Sequence, residues 1–365
     1  MEIIIKNRAP SVYGEALSVA AADGGKELST GIFTLTETQY GKNKIKTLLA
    51  GGIETPVIHR RGGCVREMLS KMHAYGAENG CVLALLHPFS FAFYRKFGYE
   101  RAADHIIAGF PTAVLDFVPR VCELVPYDES KLPDMLKIYE SFGKGRNLLL
   151  PRTDGSFYAG GGRQTYIYYD GDEPSGYVVI AGSKSMYVNH YTDTVLTVKE
   201  LAYISPKALK AIFSFLRMFE GEYDRIELYD CGLCREAEMM LKHHMHTDYR
   251  TVPDIMGRVL NTKKLLEAHD YPDEPGEFTV CVKDEVPTAG GTYRVSYGGG
   301  KREVSATDNE PDITLSVGAF TQIALGFRAL DMNGAAYLDG VMMHKECGDF
   351  FRAFPPVPCG VFEHF

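Results

Sequence analysis

The sequence predicts an α+β fold of mixed sheets, and three observations carry that expectation. A mostly apolar run from Ile45 to Ile53 passes through the basic turn His59-Arg60-Arg61-Gly62-Gly63 into a segment where Val65, Met68, Leu69 and Met72 recur at helical spacing. A second apolar strand, Cys81 to Leu86, follows it. The same order of strand, turn, helix and strand returns between Val195 and Tyr229, and the last third changes to short strands separated by glycine and charged turns.

The first stretch, Met1 to Lys46, reads as a meander of strands. Ala16 to Ala21 precedes the turn Asp23-Gly24-Gly25, Ile32 to Thr38 alternates, and Gly41-Lys42-Asn43-Lys44 turns the chain into the strand that enters the basic turn. Composition bounds the class. The chain has 365 residues, enough for two or three domains, and its 45% hydrophobic and 24% charged residues are those of a globular protein. No apolar run approaches the roughly 18 residues that span a bilayer, and MEIIIKNRAP lacks the apolar core and small-residue cleavage site of a secretory signal. Eight cysteines without tight spacing suit a reducing compartment, so a cytoplasmic location without membrane attachment is expected. A net charge of -8 argues against general nucleic-acid binding and favours cationic small molecules or basic peptides.

The basic turn has its own chemistry. Arg60 and Arg61 supply two cations, while Gly62 and Gly63 remove side chains where a ligand must approach the backbone. Amides at the start of the helix predicted from Cys64 to Tyr75 point at the same place, and a helix amino terminus beside arginines suits a phosphate. On the glycines alone, the plainer reading is an ordinary crossover with a solvated basic turn. His59 reads as a loop or capping residue.

The segment Phe93-Tyr94-Arg95-Lys96-Phe97-Gly98-Tyr99 adds specificity. Arg60-x-x-Gly63-x-Val65 resembles the pyrophosphate-binding pattern of GNAT acyltransferases, with Val65 standing where the family usually has glycine or alanine. The longer string HRRGGCVREML, followed after one strand by PFSFAFYRKFGYE, resembles the Eis (enhanced intracellular survival) family of GNAT N-acetyltransferases. That resemblance implies acetyl-coenzyme A as co-substrate, its diphosphate held by Arg60, Arg61, Gly62, Gly63 and Val65, and its pantetheine arm paired along Ile53, Glu54 and Thr55. It implies Tyr94 as the general acid that protonates the departing thiolate. A phenol with a pKa of about 10 can protonate a thiolate whose acid lies near about 8.5 if the geometry is held. Phe97 and Tyr99 are expected to pack.

In the middle, Leu132 to Phe142 reads as a helix, Thr165 to Tyr169 and Gly176 to Ala181 as a hairpin, and Val195 to Tyr203 as a strand. Ser205-Pro206 then caps a helix running to about Phe219, and Ile226 to Tyr229 is a further strand. No paired glycines stand at this second turn, and its proline removes a backbone donor where phosphate would need one. A second, degenerate GNAT-like domain without coenzyme is expected, as the Eis resemblance also implies. Cys231-x-x-Cys234 with His243, His244 and His246 invites a metal reading, but no second CxxC exists and the spacing is short of a zinc finger. Arg235 to His246 has a helical pattern of its own, and no metal is expected.

Met256 to Leu266 reads as a linker and helix. Gly276 to Val282, Gly291 to Tyr297, Arg302 to Ala306 and Asp312 to Val317 read as strands, and Gly318 to Leu325 and Asp339 to Phe350 as helices. The string from Asp308 to Leu315 resembles the sterol-carrier-protein-like domain that closes Eis proteins. The predicted organisation is therefore a GNAT domain over 1–117, a degenerate GNAT-like domain over 118–255 and a sterol-carrier-protein-like domain over 256–365. The chain ends on Pro355-Pro356-Val357-Pro358-Cys359-Gly360-Val361-Phe362-Glu363-His364-Phe365. The resemblance implies that the carboxylate of Phe365 enters the first domain as general base, with Glu363 and His364 ranking below it.

The expected activity is acetyl transfer from acetyl-coenzyme A to a primary amine of aminoglycoside, polyamine or lysine type, in a homo-oligomer that the resemblance implies is hexameric. GNAT domains ordinarily place a strand and two helices before the meander, whereas the residues before Gly51 hold no convincing pair of helices. Either the start is internal to a longer chain or the acceptor cleft is built differently. A coenzyme- or lipid-binding module without catalysis is the alternative that this departure motivates.

Overall fold

The computed structural model describes residues 1–188, 191–327 and 332–365. The chain forms two compact units: Met1–Ala103 with Gly145–Pro151 and Asp254–Phe365, and Asp104–Lys144 with Arg152–Pro253. In chain order, the opening meander is β1 (Glu2–Asn7), β2 (Glu15–Asp23), β3 (Lys26–Gly41) and β4 (Asn43–Glu54). Then come α1 (Cys64–Glu78), β5 (Leu83–Leu86), α2 (Phe91–Arg95) and β6 (Glu100–Pro111). The middle holds β7 (Leu124–Pro126), α3 (Leu132–Gly143), β8 (Arg146–Asn147), β9 (Arg163–Asp170), β10 (Glu173–Val188) and β11 (Tyr191–Tyr203). It continues with α4 (Pro206–Arg217), β12 (Arg225–Leu228), α5 (Arg235–Met240) and β13 (Asp248–Val259). The last part has α6 (Thr262–Ala268), β14 (Gly276–Lys283), β15 (Gly291–Gly298), β16 (Lys301–Ala306) and β17 (Ile313–Ser316). It ends with α7 (Val317–Ala324), α8 (Met332–Ala335), β18 (Val341–Met343) and α9 (Gly348–Ala353).

The first unit is built on the strand order β1-β2-β3-β4-β5-β13, with β4 and β5 parallel and β5 and β13 antiparallel. Both faces of its centre are covered. Leu48 and Ala50 of β4 and Ala84 and Leu86 of β5 share a core with Met68, Leu69 and Met72 of α1. The alternate residues Ile45, Leu49, Leu83 and Leu85 face a second core containing Phe278, Val280, Leu315 and Phe320. Parallel strands covered on both faces read as near-continuous apolar runs, which is why Ile45 to Ile53 and Cys81 to Leu86 stand out in the sequence. The last third thus completes the core of the first unit through its own sheet, of order β16-β15-β14-β17-β18.

The second unit has the strand order β6-β12-β11-β10-β9-β7. Its α4 is enclosed on nearly every side, with all residues from Ala208 to Leu216 buried except Lys210. A buried ion pair sits inside it: Arg152 donates to both carboxylate oxygens of Glu200 at 2.6 and 2.7 Å. The guanidinium lies 4.1 Å from the ring centre of Tyr139 and 5.1 Å from those of Phe157 and Tyr158.

Three sequence expectations are corrected. Asp339 to Phe350 is not one helix, because Val341–Met343 pairs with β17 through Ile313↔Met343 and a separate helix begins only at Gly348. The helical pattern from Arg235 ends at Met240, Leu241 is extended, and His244–His246 forms a single tight turn. The stretch starting at Met256 is the end of strand β13 rather than a linker, with Met256↔Leu86 in register. Pro253 and Gly257 disguise that strand locally, and pairing with β5 overrides the local signal. Among the described residues, no helix is long and apolar enough to cross a membrane.

Candidate active site

The site begins where two parallel strands separate. Pairing of β4 with β5 runs from Thr47↔Leu83 to Ala50↔Leu86. Beyond that point β4 continues through Gly51, Gly52, Ile53 and Glu54, whereas β5 ends and the chain turns at His87-Pro88. On its other side β4 stays tied to β3 at Ile32↔Gly51 and Thr30↔Glu54, with an irregularity between them. Ser29 fixes the strand end: its hydroxyl donates to the Glu54 carbonyl and meets the Thr55 hydroxyl, each at 2.8 Å.

From Thr55 the chain enters the basic turn. Val57–His59 is a short helical turn, Arg60 is extended, and Arg61 has a left-handed φ of 65°. Arg60 folds back so that its Nε donates to the Thr55 carbonyl at 3.2 Å, while both arginines remain exposed. Gly63 is the N-cap of α1 at φ 84°, a conformation that suits glycine, and no side chain caps the helix. Exposed cations therefore stand beside helix-start amides that have no side-chain cap, which is the electrostatic setting for an anion. Val65 is half-buried and packs against the core under α1.

Ser90 caps α2 by accepting from the Phe93 amide at 3.3 Å, which sets Tyr94 facing inward. Tyr94 is 4% exposed, with ring contacts to Phe89, Phe93 and Tyr99. Burial pushes its phenol above the ordinary value, so the neutral, proton-bearing form is favoured. Tyr99 is fully buried and pairs with His73 at 3.0 Å, which makes it a packing residue. Gly98 of the same motif has φ 76°, and a Cβ there would lie 1.9 Å from a guanidinium nitrogen of Arg258. That guanidinium donates to the Phe97 carbonyl and, at 2.6 Å, to Asp284, fixing the end of the motif.

The chain terminus is strapped down. Asn147 donates its amide to the Pro358 carbonyl at 2.8 Å and accepts from the Gly360 amide at 3.1 Å. Val361 and Glu363 are buried, and Phe365 is half-buried. A Cβ built on Gly51 would lie 3.1 Å from the Phe365 carbonyl oxygen, so the end of the chain reaches the point where β4 and β5 part. His87 lies against it, with ring centres 4.1 Å from His364 and 4.5 Å from Phe365. Its Nδ1 is 2.9 Å from Asp254 Oδ1.

Of the predicted residues, Arg61, Gly62, Gly63 and Val65 form the turn and the start of α1, and the rest fall into three places, one of them beside Gly51, which the sequence did not single out. Ile53, Glu54, Thr55 and Arg60 are linked along the strand end, Gly51 and Phe365 meet, and Tyr94 sits in the aromatic cluster on α2. His87 and Asp254 lie 167 positions apart and were not evident from sequence; the only local signal is a histidine closing an apolar run. A cavity of about 660 Å³ lies elsewhere in this unit, lined by Arg66, Ser70, Lys96, Arg258, Asp284 and Thr288, and includes none of the predicted residues. Among the described residues, no group of three or more His, Cys, Asp or Glu side chains is placed to hold a metal ion.

Comparison with known proteins bears on the domains and the fold. Residues 5–102 match an acetyltransferase (GNAT) domain, and residues 262–349 match a sterol carrier protein domain. The fold is shared with Eis1 from Mycobacterium abscessus at 18% identity and a TM-score of 0.75, covering 98% of this chain and 94% of that one. A GCN5-related N-acetyltransferase from Anabaena variabilis gives 16% identity and a TM-score of 0.79, covering 96% and 89%. A probable N-acyltransferase of unknown function from Enterococcus faecalis gives 16% identity and a TM-score of 0.78, covering 97% and 90%. No curated protein matches the sequence significantly.

Proposed function

We propose that this chain, which carries a GNAT acetyltransferase domain in an Eis-like fold, moves the acetyl group of acetyl-coenzyme A to a primary amine. One observation supports the reading most: the Phe365 carbonyl end lies at Gly51, where β4 leaves β5. A carboxylate at that point can take a proton from an amine attacking a thioester laid along Gly51–Glu54.

The turn of Arg60, Arg61, Gly62 and Gly63, continued by Val65, receives the diphosphate, and Ile53, Glu54 and Thr55 pair with the pantetheine arm. The amine nitrogen bonds to the acetyl carbon, and the Phe365 carboxylate removes the proton from that nitrogen. The carbon–sulfur bond then breaks, and Tyr94 protonates the thiolate. Holding the nucleophile and thioester together removes much of the entropic barrier, and acid–base assistance adds about 10²–10⁴-fold. Small cationic amines and lysine-bearing peptides fit the net charge of -8 as acceptors.

Thiol release from acetyl-coenzyme A in a panel of aminoglycosides, polyamines and lysine peptides tests the reading. Turnover is expected, and Tyr94→Phe should lower kcat by about 10²–10³-fold with coenzyme affinity within about twofold. Tight coenzyme binding without turnover on any amine would instead favour a non-catalytic binding module.

A further inference from the structure

The pair formed by His87 and Asp254 has a geometry that the acetyl-transfer scheme above does not use. His87 is the first residue after β5, and Ala50↔Leu86 is the last β4–β5 pair, so the imidazole stands at the mouth of the strand separation. Its Nδ1 faces Asp254 at 2.9 Å, with the two side chains 11% and 18% exposed. A carboxylate accepts, so the neutral ring carries its hydrogen on Nδ1 and presents a lone pair at Nε2. That Nε2 is buried and makes no hydrogen bond within the protein. The ring also abuts His364 and Phe365, the last two residues. An imidazole serving only to pack the chain end would leave an acceptor buried without a partner, which destabilises the fold.

An amine acceptor arrives mostly as an ammonium ion and must lose two protons, one before attack and one after it. The Phe365 carboxylate is suited to the second. We propose that His87, oriented by Asp254, takes the first. In this scheme the ammonium gives one proton to His87 Nε2, and the freed lone pair bonds to the acetyl carbon. The second nitrogen proton passes to the Phe365 carboxylate, the carbon–sulfur bond breaks, and the thiolate takes a proton from Tyr94. The Tyr94 oxygen recovers a proton from the Phe365 carboxyl, and the proton on His87 leaves to solvent. The balance is one ammonium and one thioester giving one amide, one thiol and one proton. His87 is then a catalytic residue, and Asp254 is a positioning residue that acts through it.

The inference rests on the acetyl-transfer reading, and the experiment separates the two. Wild type, His87→Gln and Asp254→Asn are compared on the best alkyl amine acceptor and on its β,β,β-trifluorinated analogue, whose amine is largely unprotonated at neutral pH. With the alkyl amine, His87→Gln should lose about 100-fold in kcat/KM; with the fluorinated amine, it should lose less than about fivefold. Asp254→Asn should show the same selectivity with a smaller loss. Coenzyme affinity, read by titration calorimetry, should stay within about twofold in both variants. Equal losses on the two amines would assign His87 a merely structural part in seating the chain end and overturn the proposal, as would full activity of His87→Gln. Should His87→Gln fail to fold by thermal melting, Asp254→Asn carries the same test, because it retains the imidazole. A wild type that transfers acetyl to no amine would overturn the acetyl-transfer reading itself.

Discussion

The two units contain the same crossover, and they treat its mouth differently. In the first, β4 and β5 are parallel over four residue pairs, from Thr47↔Leu83 to Ala50↔Leu86, with α1 between them in sequence. In the second, β11 and β12 are parallel over four pairs, from Val195↔Arg225 to Val198↔Leu228, with α4 between them. The first helix starts on left-handed Gly63 without a side-chain cap, beside exposed Arg60 and Arg61. The second starts on Ser205, whose hydroxyl accepts from the Ala208 amide at 3.1 Å, and on Pro206, which has no amide hydrogen to offer. Beyond the paired segment, β11 is occupied by the protein itself. Cys234 Sγ lies 3.4 Å from the Leu201 carbonyl, and Glu200 is locked to Arg152 among aromatic rings. Beyond the paired segment of β4 lie two glycines, the Phe365 carbonyl end and His87. One topology therefore supports an open strand end or a filled core, according to a few residues at the turn and strand end.

Substitutions can break that contrast. The largest effect is expected in the second unit. Arg152→Met leaves Glu200 buried and uncompensated and should cost about 3–5 kcal/mol of stability, read by denaturant unfolding, with coenzyme affinity of the remaining folded protein unchanged. In the first unit, Gly63→Ala imposes a left-handed conformation on a residue with a Cβ and should cost about 1–2 kcal/mol. Unlike Arg152→Met, it should also weaken coenzyme binding, because the amides proposed to receive the diphosphate begin there. Ser205→Ala is the smallest, at about 1 kcal/mol for a lost cap, with no change in coenzyme binding. A coenzyme effect from Ser205→Ala, or none from Gly63→Ala, would erase the distinction between the two turns.

Much of the fold was legible in sequence because its signals are local. The apolar runs of β4 and β5, the spacing of Met68, Leu69 and Met72, and the Ser205-Pro206 cap each follow from short-range patterning. The donor side proposed for the site rests on a local pattern too, since Arg60, Gly63 and Tyr94 lie in one stretch of chain. Long-range pairing was not readable. Strand β13 hides behind Pro253 and Gly257, and β18 lies in a run that looks helical until it pairs with β17. His87 and Asp254 share no local pattern, and Asn147 gives no sign that it will tie down residues 358 and 360. These placements depend on loop closures across much of the chain, where sequence periodicity carries no information.

The central claim is that the first crossover alone receives the coenzyme, through the basic turn. Titration calorimetry with acetyl-coenzyme A on wild type and on the double variant Arg60→Ala/Arg61→Ala tests it most directly. The structure leads us to expect one coenzyme per chain in wild type and at least about a 100-fold loss of affinity in the variant, two charge-assisted contacts being worth about 1.5–3 kcal/mol each. Two coenzymes per chain, or wild-type affinity in the double variant, would contradict it.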